Sequence, residues 1–118
     1  MTTSLINPLN GKRINGLKTG IDTGAFPNMI QVKHIIELEI DPTAEKVFNN
    51  PIRGDTRTFE FIAKISISNI SIDNFKFNAF PSVGFPCDIL LGMEFCKDFE
   101  LFYSGRNKTF EIVLPEHF

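Results

Sequence analysis

Asp22-Thr23-Gly24-Ala25 is the stretch of this sequence that says most about the fold, because it directly follows a strand-like run from Arg13 to Ile21. A carboxylate can activate water only where it is held still, and the junction of a hydrophobic strand with a tight turn would hold Asp22 in that way. Gly24 permits backbone angles that a side chain forbids, so the chain can fold back beneath the acid. Taken alone, the four residues also fit an ordinary strand that ends in an Asx-type turn.

A second apolar run, Ile89-Leu90-Leu91-Gly92, lies far downstream and ends in a glycine. Its residues do not alternate with polar ones, which is typical of a strand buried on both faces. Gly92 would let the backbone pass close to another segment of the chain. The residues that follow, Met93 to Cys96, predict a short helical turn. The two runs together are much more specific than either one.

The pair of runs resembles the retropepsin-like (retroviral-type) single-domain aspartic proteases, and the strand order supports this loosely from about Arg13 to Val113. Met93 follows the glycine, as in the cellular and bacterial branch, whereas retroviral members usually have arginine there. The resemblance implies an all-β fold: a closed retropepsin-like β-barrel, equivalent to one lobe of an acid protease, with one short helix after Gly92. Phe26 and Pro27 depart from the family pattern, in which Ser or Thr commonly follows Asp-Thr-Gly-Ala.

The activity that the resemblance implies is that of an aspartic endopeptidase. In this mechanism two carboxylates share one proton, because like charges that close cannot both ionise. The sequence has one Asp-Thr-Gly and is too short for two such lobes, so a second copy would supply the other aspartate. The implied catalytic residue is Asp22. Its loop is supported by Thr23, Gly24 and Ala25, and Leu90, Leu91 and Gly92 have a structural role. The implied partners are a second copy of the chain and a peptide or protein substrate; no cofactor and no metal is implied.

A hairpin is predicted from Ala44 to Ile65. In its second half polar and apolar residues alternate with a period of two, which is typical of a strand, and the intervening residues 49–55 are rich in turn formers. In the family, a hairpin at about this position is the flap that closes over substrate and excludes water. The residues assigned to the flap and to substrate binding are Asn50, Pro51, Ile52, Arg53 and Gly54. An ordinary hairpin explains the same pattern equally well.

The remaining segments predict short strands and turns. Residues 31–40 mix two periods and fit either a short helix followed by a strand or a strand throughout. The other expectations are a strand at Ser4–Ile6, a bend or bulge at Gly16 and Gly20, a turn near Asp73-Asn74, a loop at 81–86, and strands at Glu100–Tyr103 and Thr109–Leu114 joined by a hairpin turn at 104–108.

Composition limits the classes of function. The 118 residues predict a single domain, 1–118, and 42% hydrophobic residues indicate a globular protein. The net charge of -2 and the lack of a basic run argue against nucleic acid and against anionic membranes as partners. No signal peptide or transmembrane stretch is visible, and two cysteines do not make a disulfide framework, so we expect a cytoplasmic protein with reduced thiols.

Other constellations are weaker. His34 with Glu37 is only a pair, whereas a zinc site needs three or four ligands. Cys87 and Cys96 are better explained as small buried hydrophobes than as nucleophiles.

Two alternatives to the protease stay open. The first is a catalytically weak or inactive dimerisation or peptide-binding module with the same fold, which the Phe26-Pro27 departure and the glycine-poor flap favour. The second is a monomeric β-domain in which Asp22 merely caps a turn. The mass in solution would separate the monomer from the other two.

Overall fold

The computed structural model describes residues 2–22, 24–52, 54–68, 70–80, 86–97, 100–104, 106 and 109–113. Within these ranges the chain forms nine strands and two short helices. In chain order they are β1 (Thr2–Ile6), β2 (Arg13–Ile21), β3 (Met29–Gln31), α1 (Val32–Glu37), β4 (Ala44–Asn50), β5 (Gly54–Ile67), β6 (Ile70–Phe80), β7 (Ile89–Leu91), α2 (Met93–Cys96), β8 (Glu100–Ser104) and β9 (Thr109–Val113).

The body of the molecule is a closed barrel of six strands. Their order is β1-β2-β7-β3-β6-β5, and the barrel closes because β1 also pairs with β5. The sheet is mixed: β2 pairs with β7, and β3 with β6, in parallel, and the other neighbours are antiparallel. The predicted closed all-β barrel with a short helix after Gly92 is therefore confirmed, and α1 is a second short helix.

The barrel interior is filled by aliphatic and aromatic side chains. The rings of Phe61 and Phe77 stack with their centroids 5.6 Å apart, and Phe95 of α2 packs edge-on against Phe75 at 6.3 Å. Burying an aromatic or aliphatic side chain of this size contributes roughly 1.5–3 kcal/mol to stability. The most deeply buried large side chains are Phe77, Leu5, Ile30, Leu38, Ile65, Ile89 and Leu91.

One of the two glycines predicted to mark an irregularity in β2 does so. Gly16 has a φ of +71°, and the pairing of β1 with β2 shifts between Thr3 and Leu5, opposite Asn15 and Gly16. The extra residue is the mark of a β-bulge, and glycine adopts the left-handed backbone that it needs. For Gly20 the prediction is wrong, because this residue pairs regularly with Leu90 of β7.

The predicted turn at Asp73-Asn74 is wrong. Strand β6 runs without a break through both residues, and the connection from β5 lies after Ile67. Asn74 has a φ of +55°, and the register between β5 and β6 shifts between Ala63 and Ile65. The two polar residues thus form a bulge inside a strand, since asparagine tolerates the left-handed conformation in a bulge as well as in a turn.

Neither prediction for residues 31–40 is right in full. A helix is present, but no strand follows it. The amide of Ile40 donates to the Ile35 carbonyl and that of Glu39 to the Ile36 carbonyl, and Glu39 has a φ of +55°. These are the two bonds of a Schellman motif, which ends the helix and turns the chain back. Leu38 and Ile40 are consequently buried in the core instead of extending a strand.

The predicted hairpins are both present. β4 pairs with β5 up to Asn50 and Gly54, so the connection is shorter than the sequence indicated, and Gly54 has a φ of +79°. β8 and β9 form a separate two-stranded sheet. The predictions for Thr23, Arg53, residues 81–85, residues 105, 107 and 108 of the second hairpin turn, and Leu114 fall outside the described residues. Neither helix in the described part of the chain is long and apolar enough to cross a membrane.

Candidate active site

Asp22 lies where β2 ends, with its side chain exposed. Its amide donates to the Leu91 carbonyl over 2.9 Å, which continues the pairing of β2 with β7 by one residue. Its Oδ1 accepts the amide of Gly24 at 2.9 Å, and its carbonyl accepts the amide of Ala25 at 3.2 Å. The bond from the carboxylate to the amide two residues on is an Asx turn. The carboxylate is therefore held by its own loop and still faces solvent.

Gly92 lies directly behind this loop. A Cβ atom on Gly92 would lie 2.4 Å from the carbonyl oxygen of Pro27, 2.7 Å from that of Phe26 and 2.8 Å from that of Ala25. Real Cβ atoms do not approach backbone oxygens this closely, so the packing requires glycine. The second apolar run and the Asp22 loop are thus in backbone contact.

The first turn of α2 completes this contact. The amide of Met93 donates to the Ala25 carbonyl at 2.7 Å, and the amide of Glu94 donates to the Phe26 carbonyl at 2.8 Å. The first amides of a helix have no partner inside the helix, and here two of them bind the Asp22 loop. The loop is consequently fixed to a rigid element on one side and to β7 on the other.

Asn28 is a residue of the site that sequence reasoning missed. It is 2% exposed, its Oδ1 accepts the Gly92 amide at 3.0 Å, and its Nδ2 donates to the Lys76 carbonyl at 3.0 Å. Its own carbonyl accepts the amide of Asn78 at 2.8 Å. One amide side chain therefore links the Asp22 loop, Gly92 and β6. No spacing in the sequence identifies it; the only signal is an amide next to the apolar Met29-Ile30.

His34 and Asp88 form a second missed contact. Nε2 of His34 lies 2.9 Å from Oδ1 of Asp88, and Oδ2 of Asp88 accepts the Lys18 amide at 2.9 Å. Burial favours the neutral carboxyl, but the hydrogen bonds from His34 and Lys18 and the nearby charge of Lys33 outweigh it, so the pKa of Asp88 is lowered. Glu37, which the sequence analysis considered and discounted as a metal-binding companion of His34, is exposed. Among the described residues, no group of three or more potential ligands could hold a metal ion.

The residues of the second apolar run are not equally buried. Leu91 and Gly92 are buried, but Leu90 is only half-buried, so the expectation that the strand is covered on both faces holds for part of it.

The thiols of Cys87 and Cys96 are free and buried, and burial raises the pKa of each. A buried thiol with a raised pKa stays protonated and is a poor nucleophile.

Four of the five predicted flap residues, Asn50, Pro51, Ile52 and Gly54, lie at the end of the β4–β5 hairpin. Pro51 and Ile52 are exposed, and Asn50 pairs with Gly54 across the tip. On the loop of Asp22 itself, Phe26 is 62% exposed, and the Lys97 ammonium lies 6.0 Å from the centroid of its ring. Large apolar side chains are therefore exposed both on the loop that carries the candidate carboxylate and at the hairpin tip.

Two comparisons of the sequence gave no result: no family model matches it, and no curated protein matches it. Solved structures do match its fold. A retropepsin-like aspartic protease from Rickettsia conorii aligns over 92% of this chain and 87% of its own, with 18% identity and a TM-score of 0.57. The retroviral protease-like domain of Ddi1 from Leishmania major aligns over 94% of this chain and 85% of its own, with 13% identity and a TM-score of 0.56. The chain therefore has the retropepsin-like aspartic protease fold.

Proposed function

We propose that this protein is an aspartic endopeptidase that works as a homodimer, with one Asp22 from each copy. The observation that carries the proposal is the exposed Asp22 carboxylate on a loop that Gly92 and α2 fix from behind. A catalytic acid needs such a combination of access to solvent and a fixed position. The fold shared with the retropepsin-like aspartic protease from Rickettsia conorii supports the same chemistry.

In the proposed mechanism the two Asp22 carboxylates face each other across a two-fold axis and hold one water between them. One carboxylate takes a proton from the water as its oxygen attacks the peptide carbonyl. The other donates its proton to the carbonyl oxygen, and a proton later passes to the leaving nitrogen. Thr23 braces the two loops, Gly24 and Ala25 line the cleft, and residues 50–54 cover an extended peptide.

The C-terminal hairpin supports the dimer. Among the described strands, β8 and β9 pair only with each other, and their sequences are rich in apolar residues. A two-stranded sheet by itself is marginally stable in water, and its outer edges present unpaired backbone groups. A second copy that adds its own hairpin would cover such an edge and close a symmetric pair.

A second candidate function is peptide binding without cleavage by a dimer of the same fold. The exposure of Phe26 next to Asp22 favours it, because an aromatic side chain in that place would hold a peptide whether or not the bond is cut. This candidate predicts that Asp22 can be replaced without loss of peptide affinity and that no cleavage occurs.

The decisive experiment compares the wild type with Asp22→Asn on a diverse peptide library from acid to neutral pH. The matched control is Asp41→Asn, which removes an exposed aspartate from another loop. Several protein concentrations are used, and the mass in solution is measured by sedimentation. If the protein is a dimeric protease, cleavage persists in Asp41→Asn and disappears in Asp22→Asn. At low enzyme concentrations, the rate of cleavage rises faster than linearly with the enzyme concentration.

The other outcomes decide against the protease. A dimer that binds peptides and cuts none identifies the binding module. A monomer without cleavage excludes both functions and leaves Asp22 as the cap of a turn. Equal loss of cleavage in both variants would mean that the effect of Asp22→Asn is not specific to the site.

A further inference from the structure

Asp88 makes hydrogen bonds to three different elements. Through its side chain it accepts from the Lys18 amide of β2 and from His34 of α1, each at 2.9 Å. Through its backbone it donates to the Lys18 carbonyl at 2.8 Å and accepts from the Gln31 amide at 3.0 Å, where β3 meets α1. The residue just before β7 thus joins β2, β3 and α1 at one point.

His34, the partner of Asp88, is buried. His34 is 8% exposed, and among the described residues its Nδ1 has no hydrogen-bond partner. A carboxylate only accepts hydrogen bonds, so Nε2 carries the proton that points at Asp88. Within the described structure the ring's one hydrogen bond is therefore the bond to Asp88, and it ties α1 to the residue that precedes β7.

This junction lies at the opposite end of the parallel pair from the candidate site. Lys18 and Asp88 are each four residues before a residue of that site, Asp22 after β2 and Gly92 after β7. Between them the register is regular, from Thr19 opposite Ile89 to Ile21 opposite Leu91. A side-chain bond that fixes the start of this register also fixes which residues meet at its end.

We propose that His34 and Asp88 are a positioning pair, which locks β2 against β7 and so holds Asp22 beside Gly92. The pair touches no substrate and acts only through the two strands. Its effect on rate rests on the proposed protease function, whereas its effect on the backbone does not. A small displacement of a catalytic group costs rate steeply, so a loosened register lowers kcat more than it raises KM.

The first test is amide hydrogen exchange in the full chain, which needs no enzymatic activity. We compare Asp88→Ala with Asn7→Ala, which also removes a buried side-chain bond that holds the end of α1 but touches neither β2 nor β7. In Asp88→Ala the amides of Asp22 and Gly92 are expected to exchange about 10-fold faster than in Asn7→Ala, at equal global stability. An equal rise in both variants, or a rise spread evenly over the barrel, overturns the proposal.

Two further variants keep the test decisive if Asp88→Ala does not fold. His34→Ala removes only the α1 side of the junction and should speed exchange at the same two amides by a smaller factor. Asp88→Asn should stay within about 3-fold of the wild type, because its amide can accept from Lys18 and donate to the ring's other tautomer. Unchanged exchange in His34→Ala, or fast exchange in Asp88→Asn, contradicts a positioning role based on hydrogen-bond geometry.

The kinetic test separates positioning from loss of folded enzyme. Active sites are counted by titration with a tight-binding peptide whose scissile bond is replaced by a hydroxyl-bearing group. Per active site, Asp88→Ala is expected to lower kcat about 10-fold with KM within about 2-fold, and Asn7→Ala to leave both unchanged. A kcat per active site in Asp88→Ala equal to that of the wild type contradicts the proposal that His34 and Asp88 position Asp22. If the wild type cuts nothing, the protease proposal fails, and the exchange result still stands on its own.

Discussion

The backbone amide of Gly92 donates to the side-chain oxygen of Asn28 over 3.0 Å, in a place where Asn28 is 2% exposed. The two residues are 64 positions apart in the chain. Their bond fixes the end of the second apolar run to the end of the Asp22 loop, and the same amide side chain reaches β6 through Lys76.

Replacing Asn28 by alanine should therefore be costly. The change leaves the buried Gly92 amide without its partner, which costs about 1–3 kcal/mol, and it also removes the part-buried bond to the Lys76 carbonyl. We expect the free energy of unfolding to fall by roughly 2–4 kcal/mol in urea titrations. The control is Asn10→Ala at an exposed residue: the Leu38 carbonyl keeps its bond from Asn7, and the Lys12 amide that loses its partner is exposed, so the change should cost less than about 1 kcal/mol. Similar losses in both variants would show that burial does not matter here.

Gly92→Ala tests the close approach directly. The new Cβ would overlap three backbone oxygens at 2.4, 2.7 and 2.8 Å, and backbone atoms cannot move aside as a flexible side chain can. We expect a loss of about 3 kcal/mol or more, near the upper end of the range for overpacking. Gly20→Ala is the matched control, because its Cβ would meet Cys87 Sγ at an ordinary 3.4 Å. Thermal unfolding that barely changes in Gly92→Ala would contradict the described loop packing.

The ionisation of Asp88 should make stability depend on pH. Because the pKa of Asp88 is lowered in the folded chain, the unfolded chain binds this proton at a higher pH than the folded chain does. The stabilisation is complete above the unfolded pKa of about 3.9 and is lost as the pH falls through the folded pKa. At pH 7, Asp88→Asn should be about 1 kcal/mol less stable than the wild type, which is the difference between charged and neutral hydrogen bonds.

The measurement is a set of urea titrations of both proteins between pH 2 and pH 7. The difference between them should shrink on the acid side of pH 4. Asp41→Asn, in an exposed loop, serves as the control: it keeps Asp88, so its free energy of unfolding should follow that of the wild type across this pH range. A difference that grows on acidification would mean that the pKa of Asp88 is raised in the folded protein.

Phe26 should affect substrate binding and not stability, if the proposed protease function is right. Its side chain is 62% exposed, so Phe26→Ser should change the free energy of unfolding by less than about 0.5 kcal/mol. The loss of apolar contact area beside Asp22 should raise KM about 10-fold for peptides with a large apolar side chain near the cut bond. Leu9→Ser, at a 93% exposed position on another loop, should leave KM unchanged. An unchanged KM in Phe26→Ser would place this side chain outside the peptide path.

The sequence predicted best those elements whose signal is local. The bounds of β2 follow from a strand-like run that ends before Asp22, and β7 with α2 follows from an apolar run closed by Gly92. The prediction of a turn at Asp73-Asn74 was wrong because a turn and a β-bulge use the same polar residues, and only the strand pairing distinguishes them. The Schellman end of α1 also escaped prediction, since Glu39 stands where glycine is usual.

Of the candidate site, only the residues within the two short sequence patterns could be predicted. Asp22 and Gly92 belong to short patterns that can be recognised in isolation. Asn28, His34 and Asp88 act through bonds to residues 48 to 70 positions away, and no periodicity of a single segment reports such a distance. The tertiary fold buries these polar groups, and buried polar groups need hydrogen-bond partners, which here come from distant parts of the chain.

Strand β5 belongs to two structures at once. From Glu60 onward it is paired with β6 in the barrel, whereas from Gly54 to Phe59 it is paired with β4. The amide and hydroxyl of Thr43 both bind the Glu60 carbonyl, which anchors the hairpin at its root. A two-stranded ribbon twists more easily than a closed barrel does. The β4–β5 hairpin can therefore bend relative to the barrel at Glu60, and this bending breaks none of the hydrogen bonds between the strands of the barrel.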